Sequence, residues 1–420
     1  MASAPLAQSP TLAANEAIAR RLAAGRPVVH LAFGEAGLPV HPALAERLAA
    51  AAPVNGYGPV AGDPELRAAV AGYFERRRLP TDPELVVPAP GSKALLFALL
   101  TLLPGDVVLP VPSWVSYAAQ ATLAGKRVVP VEAPAEAGGV PDPDALDAAL
   151  VEARQAGLDP RVLVLTLPDN PTGTIAGESL LQRVCAVAER EGVTIVSDEI
   201  YRDLAFDDPR GVVSPAELHP DGTIVTTGLS KSLALGGWRI GVARLPGTPA
   251  GERLRSDLLG FASEVWSALA RPMQAVAAFA FAEPPELAEH LDASRRLHAT
   301  TTRALHRVFV DGGATCRPPA GAFYLYPDLE PLREPLAAHG ATSSASLGEV
   351  LLDDFDVAVL PGHHFGDDPS ALRFRAAASL LYGATAEQRW ESLSAGDPLG
   401  LPWIAAALEQ VRGALAHLRG

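Results

Sequence analysis

Between Val107 and Leu245 the chain alternates short, unbroken apolar runs with longer stretches of helical period. Val107–Val111, Val162–Leu167, Val193–Ser197, Thr223–Thr227 and Trp238–Leu245 read as strands. Glu178–Glu191, with Leu180, Leu181, Val184 and Val187 at helical spacing, reads as a helix between two of them. Strands with no apolar/polar alternation need cover on both faces, which crossover helices supply. The pattern therefore predicts an α/β domain on a mostly parallel sheet. At 420 residues the chain exceeds what a single core usually holds. Its character changes at Glu283-Pro284-Pro285, after which a long charged helix is expected over Glu286–Phe309. Strand-like segments follow at Ala322–Tyr326, Val357–Leu360 and Leu372–Ala376, then a closing helix over Ile404–Leu418. The expected division is a large domain over residues 45–285 and a smaller α/β domain from residues 1–44 and 286–420.

Composition removes several function classes. A net charge of −14 argues against a nucleic-acid binder, because phosphate contacts need a basic face. No run approaches the ~20 apolar residues of a membrane span. Met1–Pro10 lacks the basic and then apolar pattern of a signal peptide. Cys185 and Cys316 are too few for a disulfide framework and lack thiolate-site spacing, so a reduced cytoplasm is expected. His363 and His364 have no spaced third ligand, so no metal site is expected. Only three of the 34 basic residues are lysines, namely Lys93, Lys126 and Lys231. Any chemistry that needs a primary amine has those three candidates.

In open parallel sheets ligands bind beyond the carboxyl ends of the strands. There the sequence places Pro168-Asp169-Asn170-Pro171-Thr172-Gly173, Asp198-Glu199-Ile200-Tyr201 and Gly228-Leu229-Ser230-Lys231-Ser232. An amide, a carboxylate, a phenol and a lysine thus converge on one rim. No G-x-G-x-x-G, P-loop or G-x-S-x-G is present to suggest a dinucleotide, a nucleotide or a serine nucleophile. A lysine beside a carboxylate suits a Schiff base with pyridoxal phosphate, whose ring nitrogen needs an acidic partner. Gly91-Ser92-Lys93 opens the apolar helix Ala94–Leu103, where free N–H groups favour a phosphate. Arg239 follows Lys231 by eight residues, and Trp114 follows the first strand. Lys93 falls in that phosphate loop and Lys126 in an exposed turn, so Lys231 is the expected amine.

These segments together resemble the class I/II aminotransferases of pyridoxal-phosphate fold type I. The likeness runs from about Leu31 to Ala378, with its elements in family order. They are Gly56-Tyr57-Gly58 with Pro64-Glu65-Leu66-Arg67, Gly91-Ser92-Lys93-Ala94-Leu95, Trp114-Val115-Ser116-Tyr117 and Asn170-Pro171-Thr172-Gly173. Asp198-Glu199-Ile200-Tyr201, Ser230-Lys231 with Gly237-Trp238-Arg239, and Gly321-Ala322-Phe323-Tyr324 complete the series. The resemblance implies a fold type I enzyme that moves an amino group from an L-amino acid to a 2-oxo acid. It implies that Lys231 carries pyridoxal 5'-phosphate, Asp198 pairs with the ring nitrogen, and Asn170 and Tyr201 hydrogen-bond the ring oxygen. Trp114 would stack on the ring. Gly91, Ser92, Lys93, Ser230 and Arg239 would form the phosphate site, and Tyr57 would reach in from a partner subunit of a homodimer. Gly34 would lie beside the substrate, and Arg373 would take its α-carboxylate.

Two features depart from the family pattern. Arg373-Phe374-Arg375 puts two arginines where one is usual, and residues two apart on a strand share a face. The segment Tyr382–Trp403 is longer than the usual link to the last helix, and it either covers the entrance or pads the small domain. The alternatives are a pyridoxal-phosphate lyase, cyclase or oxidase on the same scaffold, and a non-catalytic effector-sensing domain of a transcriptional regulator. The second would want a DNA-binding segment ahead of Leu31, where only a short and nearly neutral stretch stands.

Overall fold

Seven strands form the central sheet of the computed structural model, which describes residues 9–420. Residues 1–8, which belong to the expected small domain and to the Met1–Pro10 stretch, lie outside the described residues. The strands are β1 (Val86–Ala89), β2 (Asp106–Val111), β3 (Val128–Glu132), β4 (Pro160–Thr166), β5 (Thr194–Asp198), β6 (Thr223–Gly228) and β7 (Gly241–Arg244). Their spatial order is β1-β7-β6-β5-β4-β2-β3. β2 to β6 run parallel, while β7 lies antiparallel to β6 and β1 antiparallel to β7. The expected α/β sheet is therefore present, with β7 the one strand that runs against the others and β1, parallel to the rest in direction, at the edge. The expected strand Trp238–Leu245 begins only at Gly241. Gly236–Trp238 makes a 3-10 turn, and Arg239 takes a left-handed φ of 54° that ends extended pairing. Helix Glu178–Glu191 forms as read, closed by a left-handed Gly192.

Beyond Pro285 a helix of 27 residues, Pro285–Asp311, is followed by an antiparallel sheet of β8 (Tyr324–Leu325), β9 (Leu360–Pro361) and β10 (Phe374–Ala377), with β10 central. The expected single strand Val357–Leu360 is split. Val357–Ala358 pairs parallel with Val29–His30, and only Leu360–Pro361 joins β10. One apolar cluster joins Val29, Leu31 and Leu38 to residues from Leu297 to Leu418, while three others draw on residues between Leu44 and Leu287. The added segment folds into helix Ala386–Ser394 and a turn at Pro398–Gly400. It packs on the long helix, with Trp390 5.9 Å from His290 and the Tyr382 hydroxyl 2.6 Å from His298 Nδ1. No helix among the described residues is long and apolar enough to cross a membrane.

The turn leaving β5 is clamped from below. Glu199 and Arg202 are both 2% exposed and 2.7 Å apart. Glu199 also accepts from Ser197 at 3.0 Å and from Ser214, and Arg202 donates to the Val212 carbonyl at 2.9 Å. Removing one partner of a buried pair leaves an uncompensated charge and costs about 3–5 kcal/mol. Glu199→Ala is expected to lose that much in urea unfolding. A midpoint near that of the wild type would show that the pair does not hold this turn.

Candidate active site

The carboxyl ends of β4, β5 and β6 open into a cavity of about 510 Å3. Register places Thr166, Asp198 and Thr226 side by side across these three strands. Asp198, 3% exposed, accepts from Tyr117 at 2.9 Å and from Thr226 at 3.3 Å, and Thr166 supports the Tyr117 hydroxyl at 2.7 Å. Burial pushes the Asp198 carboxyl up to about 6. These hydrogen bonds, the Ile200 backbone N–H and the Lys231 charge pull the other way.

Lys231 stands on the short helix Leu229–Ser232 directly after β6, and its ammonium donates to the Gly34 carbonyl. Burial lowers its pKa to about 8, aided by Arg375 and Arg239 and opposed by Glu35 and Asp198. Tyr201 and Asn170 line the same wall, with Asn170 Nδ2 donating to the Tyr201 hydroxyl at 3.4 Å. Trp114 lines the cavity edge-on to Tyr117, and the Lys93 ammonium lies 5.0 Å from the Trp114 ring centre.

The start of helix Ser92–Leu102 has no side-chain cap, so its first N–H groups remain free. Gly91, at φ 90°, precedes it, and a Cβ there would lie 2.2 Å from Arg239 Nη2. Only glycine allows both that backbone and that approach. Burial, and then the Arg239 charge, lowers the Lys93 pKa. Ser92, Ser230, Lys93 and Arg239 all line this end of the cavity. Free helix N–H groups beside two cations form an anion cradle.

The structure thus gathers Gly34, Ser92, Lys93, Trp114, Asn170, Asp198, Tyr201, Ser230, Lys231 and Arg239 around one cavity, with Gly91 behind Arg239. It does not bring in two expected residues. Tyr57 is 95% exposed and stands away from the cavity of its own chain. The expectation for Arg373 is corrected. Its guanidinium lies outside the cavity, held by Asp328 at 2.8 Å and Asp367 at 3.0 Å. Arg375, 1% exposed, lines the cavity instead. It donates to Asn170 Oδ1 at 3.1 Å and to the Ala32 carbonyl at 2.8 Å. Its Nε has no partner, and no carboxylate pairs with it among the described residues. Two acids, 45 and 6 residues away, decide which arginine is free, and only the fold brings both to Arg373. Sequence reading also missed Tyr117, Thr166 and Thr226 beneath Asp198. It gave no role to Tyr324, or to Ser9, Thr11 and Leu12 at the cavity wall. The strand register is the signal for the threonines, and it becomes readable only once the sheet order is known.

The sequence profile of the family "Aminotransferase class I and II" matches residues 27–380. The chain belongs to this family. The aspartate/prephenate aminotransferase of Cereibacter sphaeroides is 34% identical over 377 residues, which is 86% of this chain and 90% of that one. The aspartate aminotransferase of Geobacillus stearothermophilus is 33% identical over 396 residues, covering 92% and 96%. Among solved structures, the Thermus thermophilus aspartate aminotransferase with maleate superposes with a TM-score of 0.82 at 27% identity, covering 97% of each chain. This aminotransferase has in its cavity what the family's cofactor requires: a half-buried amine, a buried carboxylate and an anion cradle at the start of helix Ser92–Leu102.

Housing Asp198 costs the cofactor-free protein stability. Its pKa is raised from about 3.9 in the unfolded chain to about 6, so between these values the folded state holds the extra proton. Stability from this group therefore falls as pH rises from about 4 to about 6, and stays lower above. Cofactor-free Asp198→Asn is expected to be more stable than wild type at pH 7 by up to about 3 kcal/mol, with the gain shrinking towards pH 4. Urea unfolding at the two pH values measures it, and a gain independent of pH would overturn this account.

Proposed function

We propose that this aminotransferase carries pyridoxal 5'-phosphate on Lys231 and moves an amino group from an L-amino acid to a 2-oxo acid in the cavity described. The observation that carries the reading is the placement of Lys231 with the buried Asp198 in one cavity that Lys93, Arg239 and Arg375 also line. When bound, the cofactor supplies an aldehyde for the amine and a ring that takes up the electron pair released at the substrate Cα. Ser92, Lys93, Ser230, Arg239 and the free N–H groups after Gly91 hold its phosphate. Asp198 holds the proton on the ring nitrogen, Asn170 and Tyr201 hold the ring oxygen, and Trp114 covers the ring face. With a pKa of about 8, Lys231 Nζ holds and releases a proton near neutral pH, as a group moving the Cα proton must. Arg375 takes the substrate α-carboxylate in place of Arg373, and Gly34 leaves room beside it.

Residues 45–285 are proposed as the cofactor-binding domain and 1–44 with 286–420 as the small domain, a division that the four largest apolar clusters support to within a few residues, while two small clusters bridge it. A homodimer is proposed, with Tyr57, exposed on its own chain, entering the partner's site. The free cysteines Cys185 and Cys316 support a cytoplasmic setting. The relatives' names make an acidic amino acid the first substrate to assay.

Borohydride reduction of the cofactor-loaded enzyme, followed by digestion, should label the peptide that contains Lys231. A label on Lys93, or no uptake of cofactor, overturns the reading. A planar guanidinium holds a carboxylate through two parallel hydrogen bonds, a fit lysine lacks. Arg375→Lys should therefore lower kcat/KM by about 10²-fold or more, and Arg373→Lys by far less. The reverse order in the same assay would return the carboxylate to Arg373.

A further inference from the structure

Tyr324, on β8, meets three groups of the site at once. Its hydroxyl lies 2.8 Å from the Tyr201 hydroxyl and 3.5 Å from the Gly34 carbonyl, which also accepts from Lys231. Its ring lies 4.7 Å beneath the Arg375 guanidinium. We propose that Tyr324 is a positioning residue that donates its hydroxyl proton to the Tyr201 oxygen and so aims the Tyr201 proton into the cavity. The inference rests on the reading that the cavity takes a ring bearing an oxygen acceptor.

The direction follows from the partners. Arg375 donates to Asn170 Oδ1, which turns the Asn170 amide N–H groups towards Tyr201. One lone pair of the Tyr201 oxygen therefore faces Asn170. Gly34 offers Tyr324 only a long contact, whereas Tyr201 lies at ordinary hydrogen-bond distance. Donation from Tyr324 to Tyr201 is the stronger use of that proton, and it leaves the Tyr201 proton for the cavity. Burial raises the pKa of both phenols, so each keeps its proton at neutral pH. A donor into a hydroxyl oxygen strengthens that hydroxyl as a donor in turn. Through Arg375 the same chain reaches the proposed carboxylate site, so substrate binding and the ring oxygen share one network.

The test is an absorbance titration of the cofactor-loaded enzyme, which reads the pKa of the lysine–cofactor linkage independently of turnover. Tyr324→Phe keeps the ring beneath Arg375 and removes only the hydroxyl. It should raise the spectral pKa by about half a unit to one unit, the size of one lost hydrogen bond. Adding it to Tyr201→Phe should raise the pKa no further, because the effect runs through Tyr201. Gly34→Ala, whose Cβ would lie 2.2 Å from the Tyr324 hydroxyl, should displace that hydroxyl and shift the pKa in the same direction without changing either tyrosine. If wild type takes up cofactor and titrates but Tyr324→Phe titrates identically, or the double variant is additive, the Tyr324 assignment fails alone. If wild type takes up no cofactor, the assignment falls together with the proposed function.

Discussion

A carboxylate buried at the end of β5 constrains most of what surrounds it. An ionised Asp198 with 3% exposure needs donors, and they come from fixed places: Thr226 one strand over, and Tyr117 braced by Thr166 on the strand at the other side. These partners reach Asp198 only because β4, β5 and β6 are parallel and in the observed register. A register slip of one residue would turn Asp198 to the opposite face of the sheet. The Glu199–Arg202 pair just beyond holds the following turn, so Asp198 and Tyr201 are fixed from both sides.

The rest of the cavity balances this acid with an excess of cations. Lys93 and Arg239 sit at a helix start, Lys231 at the end of β6 and Arg375 on β10. Arg375 is the buried one among these, and a buried cation without a carboxylate is costly unless a ligand completes it. Arg373 shows the opposite solution two residues away. Asp328 and Asp367 neutralise it, and the Tyr326 hydroxyl donates to Asp367 at 2.9 Å. One arginine is thereby committed to the small sheet, and the other is left to the cavity.

The small sheet reaches the chemistry through few residues. β8 brings Tyr324 and β10 brings Arg375, while the segment around Gly34 passes between them and Lys231. The helix Ala386–Ser394 and its flanking turns touch none of this. Tyr382, Ser392 and Trp403 bond to one another and to His298, so the added segment braces the long helix and leaves the entrance alone.

Local chemistry made much of the protein legible from sequence. Mostly apolar runs declared the parallel strands because burial on both faces leaves few polar positions, and those few lie mainly towards the strand ends at the site. Lys231, Asp198, Asn170, Tyr201 and the Gly91 turn were legible because each stands where a strand ends or a helix begins, positions that sequence spacing fixes. The edge strand β1, the split of Val357–Leu360 and the late start of β7 were not, since each depends on a distant pairing partner or on the left-handed turn at Arg239. The choice between Arg373 and Arg375 belongs wholly to the tertiary structure. The two arginines are alike in sequence, and what separates them is the distance to carboxylates about 45 and 6 residues away, which only the folded chain sets.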